Sequence, residues 1–365
     1  MWVQPAPLEG VKMNRETYIK MSDEFKGACH SVSMATSGRY LLTQKDNKKG
    51  YYIMLEEEGI PLKLPFRALF ETNDKISPIN SLSFCSAFDC PSDRLGLCQL
   101  CENKGLCYAK AGQRRANGTF RGKKSKLYGA RQINSTQASK IVERAINALY
   151  KDKGLYKLFL KYIDENIKIL RFNLKGDFRS RKDIKLIKNI AEYCQDTILY
   201  GYSARDDILK PNEFDKYYHQ IYLNGSNMKY TNYFKVTTDL KEYFQANNIC
   251  LGGCKGCGNC FTLIDSVITV LLHGKDSDKA LNTPANREFL ATLLNALNIH
   301  FKFTPSDFNI KGGLFESLKT QIESQGVSID FENFTELKLW LDSSHYEIKN
   351  SETVDLKTLE ALGVA

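Results

Sequence analysis

The spacing of apolar positions changes along the chain, and the changes predict its elements. His30 to Thr43 and Tyr51 to Glu56 read as strands around the turn-forming Lys45-Asp46-Asn47-Lys48-Lys49-Gly50, so the opening is expected to be β-rich. From Ser135 the spacing turns helical, with Ile141, Ala145, Leu149, Leu155, Leu158, Leu160 and Ile163 in phase and a break near Gly154. Strand and helix then alternate. Lys168 to Leu174 predicts a strand, and Ser180 caps a helix whose inner face holds Ile184, Leu186, Ile187 and Ile190. Thr197 to Tyr202 predicts a second strand, followed by a helical piece from Pro211. Phe234 to Thr238 predicts a third, leading into a short helix over Asp239 to Ala246. Strand starts about 30 to 37 residues apart are the length of a βα unit. The expected fold class is α/β, with a partial parallel βα barrel or an open parallel sheet as its core. Asn286 to Leu297 (capped by Thr283 or Asn286), Leu314 to Ser324 and Phe334 to Leu341 predict helices in a small α/β C-terminal region. The expected division is 1–83, 84–263 and 264–365.

Composition narrows the class. Of 365 residues 42% are apolar and 25% charged, which excludes wholesale disorder. The longest apolar stretches, such as that around Val270 to Leu272, fall far short of the roughly 18 residues needed to cross a bilayer. The opening Met-Trp-Val-Gln-Pro-Ala-Pro-Leu has no basic stretch leading into an apolar core, so no signal peptide is expected and the expected location is cytoplasmic. Eleven cysteines in such a chain point to metal binding or redox chemistry rather than a disulfide framework. The formal charge of +9 is a patch: residues 101–150 carry eleven Lys and Arg against Glu102 and Glu143, and the rest of the chain balances.

Cys250, Cys254, Cys257 and Cys260 are spaced C-x3-C-x2-C-x2-C among glycines. Such spacings let one loop wrap several thiolates round one ion or cluster, and the glycines let backbone N–H groups turn toward sulfur. The alternative, four buried thiols, leaves the spacing without a reason. A zinc ion and an iron–sulfur cluster both fit. Cys250, Cys254 and Cys257 also match the triplet of radical-SAM enzymes, which would bring S-adenosylmethionine. The triplet's place after several βα units and the fourth thiol argue against that chemistry. Earlier in the chain Cys90, Cys98, Cys101 and Cys107 are expected to form a second site. The alternative keeps Cys85 and Cys90 as buried thiols and joins the others to the later group. Cys29 and Cys194 are expected in the core, and His273, His300 and His345 at the surface or in the core.

Lys110, Arg114, Arg115, Arg121, Lys123, Lys124, Lys126 and Arg131 follow with no acid between them. Tyr108, Phe120 and Tyr128 are interleaved, and Gly112, Gly118 and Gly122 predict a loop. Charges for phosphate and rings for stacking suit DNA or RNA, although a charge run is ordinarily a solvated face.

Active sites of parallel α/β folds lie at the carboxyl ends of the strands. There the chain places Asp177, then Arg205, Asp206 and Asp207, then Asp239. Carboxylates can divide acid and base roles, and an arginine can hold a phosphate. An Asp at a strand–helix junction is also a helix cap, the reading favoured for Asp239. Ser180 already serves the helix after Asp177, so Asp177 is the leading catalytic candidate, with Arg205 and Asp206 beside it and Asn173 and Tyr202 at the same mouth.

Taken together, Cys90-Pro91, Cys107-Tyr108-Ala109, Arg171-Phe172 leading into Gly176-Asp177-Phe178, Tyr202-Ser203-Ala204-Arg205 and Cys254-x2-Cys257-x2-Cys260-Phe261 resemble a family of cysteine-rich phage proteins, the mycobacteriophage gene product 88-like group, over about residues 80–262. The resemblance implies that these motifs form one site and names no reaction. A phage-like origin fits a nucleic-acid substrate.

The leading expectation is an enzyme that modifies or processes nucleic acid, with phosphates held at 110–131 and chemistry around Asp177 and Arg205. Base exchange of the transglycosylase kind is conceivable, although about 150 residues between patch and last cysteine are too few for an eight-stranded barrel of about 250. The alternatives are a non-catalytic, zinc-stabilised nucleic-acid-binding protein and an iron–sulfur redox protein.

Overall fold

The computed structural model describes residues 52–57, 60–71, 76–98, 107–119, 134–250, 257–272, 280–296, 313–324, 333–343 and 355–362. The strand expected over 30–43, together with Cys29, His273, His300 and His345, lies outside them.

Seven strands stand side by side in chain order. β3 (Phe70–Glu71) is antiparallel to β4 (Asn80–Leu82). β4, β5 (Ile169–Phe172), β6 (Ile198–Ser203), β7 (Ile221–Gly225), β8 (Asn232–Thr237) and β9 (Val267–Leu271) then run parallel. The result is an open, mostly parallel α/β sheet, one of the two expected forms. A separate hairpin, β1 (Tyr52–Glu57) with β2 (Ile60–Pro65), packs beside it.

Strands laid down in order carry their crossover helices on one face. Helices α3 (Ser135–Leu149), α4 (Lys153–Asn166) and α5 (Arg181–Tyr193) cover that face. Ile141, Ile146, Phe159, Ile163, Ile187 and Ile190 meet Leu170, Phe172, Leu199 and Leu223 in the main core. Each helix start has a side-chain cap: Asn134 in a capping box with Gln137, Asp152, and Ser180 as the spacing predicts. The opposite face holds a smaller core around Ile76, Ile79, Tyr200, Tyr222, Cys260, Phe261 and Ile268.

Three strands escape the apolar pattern. β4 is three residues long, and β9 lies in the apolar run before Leu272. β7 falls where the spacing suggests one long βα unit. The piece from Pro211 is not a helix but turns and a 3-10 segment at Asp215–Tyr217. Arg181 explains this: it bonds the carbonyl of Ile208 at 2.6 Å and the carboxylate of Glu213 at 2.5 Å, drawing the connection down onto α5.

After β8, Asp239 caps α6 (Leu240–Gln245) by accepting from the Glu242 N–H, so the cap reading of Asp239 holds. Its Leu240, Tyr243 and Phe244 share a core with α8 (Pro284–Ala296), α9 (Gly313–Ser324), α10 (Phe334–Ser343) and α11 (Leu356–Leu362). α7 (Asn259–Thr262) precedes β9, and Thr283 caps α8.

Candidate functional site

The carboxyl end of β5 turns sharply. Asn173 at φ 58° and Gly176 at φ 69° are both in the left-handed region, open to glycine and tolerated by asparagine. A Cβ on Gly176 would lie 2.5 Å from the Cys85 sulfur, so the position admits only glycine. The turn buries Asp177 to 5% exposure. Its Oδ1 accepts from Asn173 (3.1 Å), the Phe178 N–H (2.7 Å) and Ser203 (2.7 Å). Its Oδ2 accepts from Ser92 (2.6 Å) and the Ala204 N–H (2.9 Å). Burial raises the Asp177 pKa, and these donors oppose the rise. Five donors on two oxygens make Asp177 a knot joining β5, β6 and the loop of Ser92. Arg205 lies alongside, donating to the Phe178 carbonyl and gripping Asp207 at 2.6 and 2.8 Å. Its carboxylate partner is thus Asp207, while Asp206 stays in the turn, its N–H bonded to the Ala204 carbonyl.

Two cysteines of the first group lie against this knot. Cys85 donates to the Asp177 carbonyl at 3.4 Å. Cys90 precedes α1 (Pro91–Arg94) and has its thiol pushed up to about 12 by burial, with the Asp177 and Cys98 charges adding to the rise and the Asp93 and Ser92 N–H groups opposing it. A thiol raised so far is no nucleophile at neutral pH. A bound metal would deprotonate it outright. Cys107 begins α2 (Tyr108–Thr119), and Cys101 lies outside the described residues.

The second group lies across the sheet. Tyr202 and Ser203 are consecutive on β6 and point to opposite faces; Ser203 reaches Asp177, whereas the Tyr202 hydroxyl donates to the Cys260 sulfur at 2.8 Å. Asn224 on β7 holds the Cys260 carbonyl at 3.1 Å. Gly258, at φ 73°, lets the chain turn between buried Cys257 and Cys260, and Cys250 is fixed by its N–H to Thr269 at 2.9 Å. A hydroxyl donating to sulfur is a contact that a thiol or a thiolate accepts. Cys254 lies outside the described residues, and among those described no three His, Cys, Asp or Glu side chains form a cage. Cys194 is fully buried under α5, as its isolation suggests.

The basic segment is helical where it is described, since α2 runs through Gly112 and Gly118. Lys110 pairs with Asp93 of the cysteine loop. Gln113 is buried, accepts from the Ala87 N–H at 2.8 Å and donates to Ser139 at 3.4 Å. These anchors impose helix where glycine content predicts loop. Arg114 is exposed on α2 and Arg115 is on the same helix. Arg121, Lys123, Lys124, Lys126 and Arg131 lie outside the described residues.

Between the cysteine loop and α3 opens a cleft of about 590 Å³, with Cys85 and Arg94 on one wall, Lys140 and Arg144 on the other, and Arg179 between them. Apart from Cys85 none of these residues stands out in the sequence, because the walls come from three distant segments.

A family model described as gene product 88 matches residues 62–246, just over half of the chain. The chain belongs to the gene product 88 family. The matched segment starts earlier than the motifs suggest, taking in most of β2, and stops after α6. It contains the Asp177 knot, the first cysteine group and the basic helix, but not Cys250 to Cys260. No curated protein and no solved structure matches the chain.

Proposed function

We propose that this protein binds DNA or RNA through the basic segment that starts at α2, and that a cysteine-ligated metal centre, zinc or iron–sulfur, braces the binding face. One observation carries this reading. The loop from Cys85 to Cys98 is tied to the sheet through Ser92 and Asp177 and to α2 through Asp93–Lys110 and Ala87–Gln113. The cysteine loop thus joins the strand ends to the start of α2, and ligation by Cys90, Cys98, Cys101 and Cys107 would fix the angle at which α2 meets phosphate. A bound metal would supply a thiolate cross-link or, as a cluster, electron transfer. Asp177 positions the loop, because its oxygens are already filled by donors. Lys110 is committed to Asp93, which leaves Arg114, Arg115 and the residues beyond to meet phosphate.

Modification of the bound strand is the second reading, favoured by the cleft at the carboxyl ends of the strands, where α/β proteins place their chemistry. Anisotropy titrations of labelled single- and double-stranded oligonucleotides over a salt series test the binding reading. The expected result is a steep salt dependence whose log–log slope falls by about 0.7 to 0.9 for Arg114→Ala and not for Arg287→Ala, on remote α8. Binding that is insensitive to salt, or a slope unmoved by Arg114→Ala, would overturn it.

A further inference from the structure

The cysteine loop carries a tip that the fold fixes firmly and leaves uncovered. Successive N–H groups are bonded within it: Arg94 to the Cys90 carbonyl at 3.1 Å, Leu95 to Pro91 at 2.9 Å, Gly96 to Asp93 at 3.2 Å, and Leu97 and Cys98 to Ser92 at 2.8 and 3.2 Å. Gly96, at φ 67°, reverses the chain there. Three distant segments fasten the base of the loop. Ser92 donates to Asp177 at 2.6 Å, Asp93 pairs with Lys110 of α2, and Asn227, between β7 and β8, donates to the Leu97 carbonyl at 2.6 Å. Beyond these ties stands Leu95, 58% exposed, the barest of the large apolar side chains among the described residues. A single exposed leucine is ordinary on a protein surface; this one differs in its seat, because the backbone bonds on both sides fix where it projects. Arg94 beside it is already engaged by Asp89 at 2.5 Å, so what the tip offers a partner is an apolar contact. The charge lies on the neighbouring helix. Lys110, which holds the loop, and Arg114, which is exposed, are one turn apart on α2 and share a face. The apolar tip therefore sits beside the face that carries Arg114.

We propose that Leu95 is a wedge: it enters between neighbouring bases of the nucleic acid that α2 holds by phosphate, and so favours sites whose bases part easily. The proposal rests on the nucleic-acid reading above. Aliphatic side chains part stacked bases in this way, and contacts made by the deformed strand offset the lost stacking. A wedge needs a rigid mount, because a tip that had to be ordered on binding would give back part of the gain; the bonds at 90–98 and their three anchors provide one. Leucine has no polar group to read a base edge, so the preference is for ease of unstacking. A mismatch, where pairing is already weakened, is the favoured site.

Titration of the full chain with short duplexes carrying 2-aminopurine, fully paired or with one mismatch beside the probe, tests the proposal. Binding should brighten the 2-aminopurine as its neighbour is unstacked, and the mismatched duplex should bind about tenfold more tightly than the paired one. Leu95→Ala should lose most of the brightening and bring the two affinities within about twofold of each other, while keeping the parental salt slope, since no phosphate contact goes with it. Its melting temperature should stay at the parental value, because the side chain is exposed. Leu95→Met, of similar volume, should retain both the brightening and the preference. Brightening and mismatch preference unchanged in Leu95→Ala would overturn the wedge. A parent that binds oligonucleotides with the expected salt slope but leaves 2-aminopurine dark overturns the wedge alone; a parent that binds no oligonucleotide overturns the nucleic-acid reading with it.

Discussion

Asp177, the leading catalytic candidate of the sequence, is held in the fold by five hydrogen bonds that also make it a fastening. Ser180 does cap α5, as its position predicts, so Asp177 is indeed spared that duty. It accepts bonds from β5, β6 and the cysteine loop instead. Asp177→Asn keeps size and shape but sets an amide NH2 against the Ala204 N–H, which cannot accept, while the Ser92 hydroxyl can turn to accept it. Leaving one buried donor unsatisfied costs about 1 to 3 kcal/mol, more than a surface substitution. Urea unfolding at neutral pH should show that loss as a lower midpoint with an unchanged slope. A midpoint within error of the parent would mean that the knot carries no stability.

At the scale of elements, the α5 crossover carries a pH dependence of its own. Glu213 is almost buried and receives Arg181 and Lys188 from α5. Burial pushes its carboxyl up, but the bonds from Arg181 and Lys188 outweigh this and hold it below the ordinary glutamate value of 4.5. A group whose pKa is lowered by folding adds stability above its unfolded value and loses it as pH falls through the folded one. Stability should therefore drop below about pH 4.5, and Glu213→Gln should remove part of that drop while costing about 1 to 2 kcal/mol at pH 7. Melting curves between pH 3 and 7 read both effects; parallel curves for parent and variant would sink the assignment. The same connection explains what the sequence could and could not reveal. β5, β6 and β8 are legible from local apolar spacing, and the helices after β5 and β8 because a capping Ser or Asp coincides with it. β7 is not, because Glu213 draws a helix-free crossover onto α5 through contacts more than twenty residues apart. The cleft is hidden for the same reason, since Arg94, Lys140 and Arg179 meet only in three dimensions, whereas the cysteine spacing is visible because its chemistry is local.

At the scale of the whole molecule, the described residues pack unequally on the two faces of the sheet. Among the described residues the helix-covered face is backed by thirty-one buried apolar side chains and the opposite face by seven. The smaller described core buries less apolar area, at about 25 cal/mol per Å², so each contact in it weighs more. Cys260 and Phe261 contribute to that cover: the Phe261 ring packs tilted at 49° against Tyr200 with ring centres 4.8 Å apart, and Tyr202 and Asn224 hold Cys260 from the sheet below. If the thiolates of the Cys250–Cys260 loop fasten this cover as a lid, losing them opens it locally rather than unfolding the chain. Native-state amide exchange on the Cys257→Ser, Cys260→Ser double variant should speed up over 257–272 and leave α5 (Arg181–Tyr193) protected as in the parent. Uniform acceleration across both regions would mean that the two faces unfold as one unit and that the loop is core, not lid. Unchanged exchange over 257–272 would show that Phe261 and the Asn224 contact hold the lid without the sulfurs.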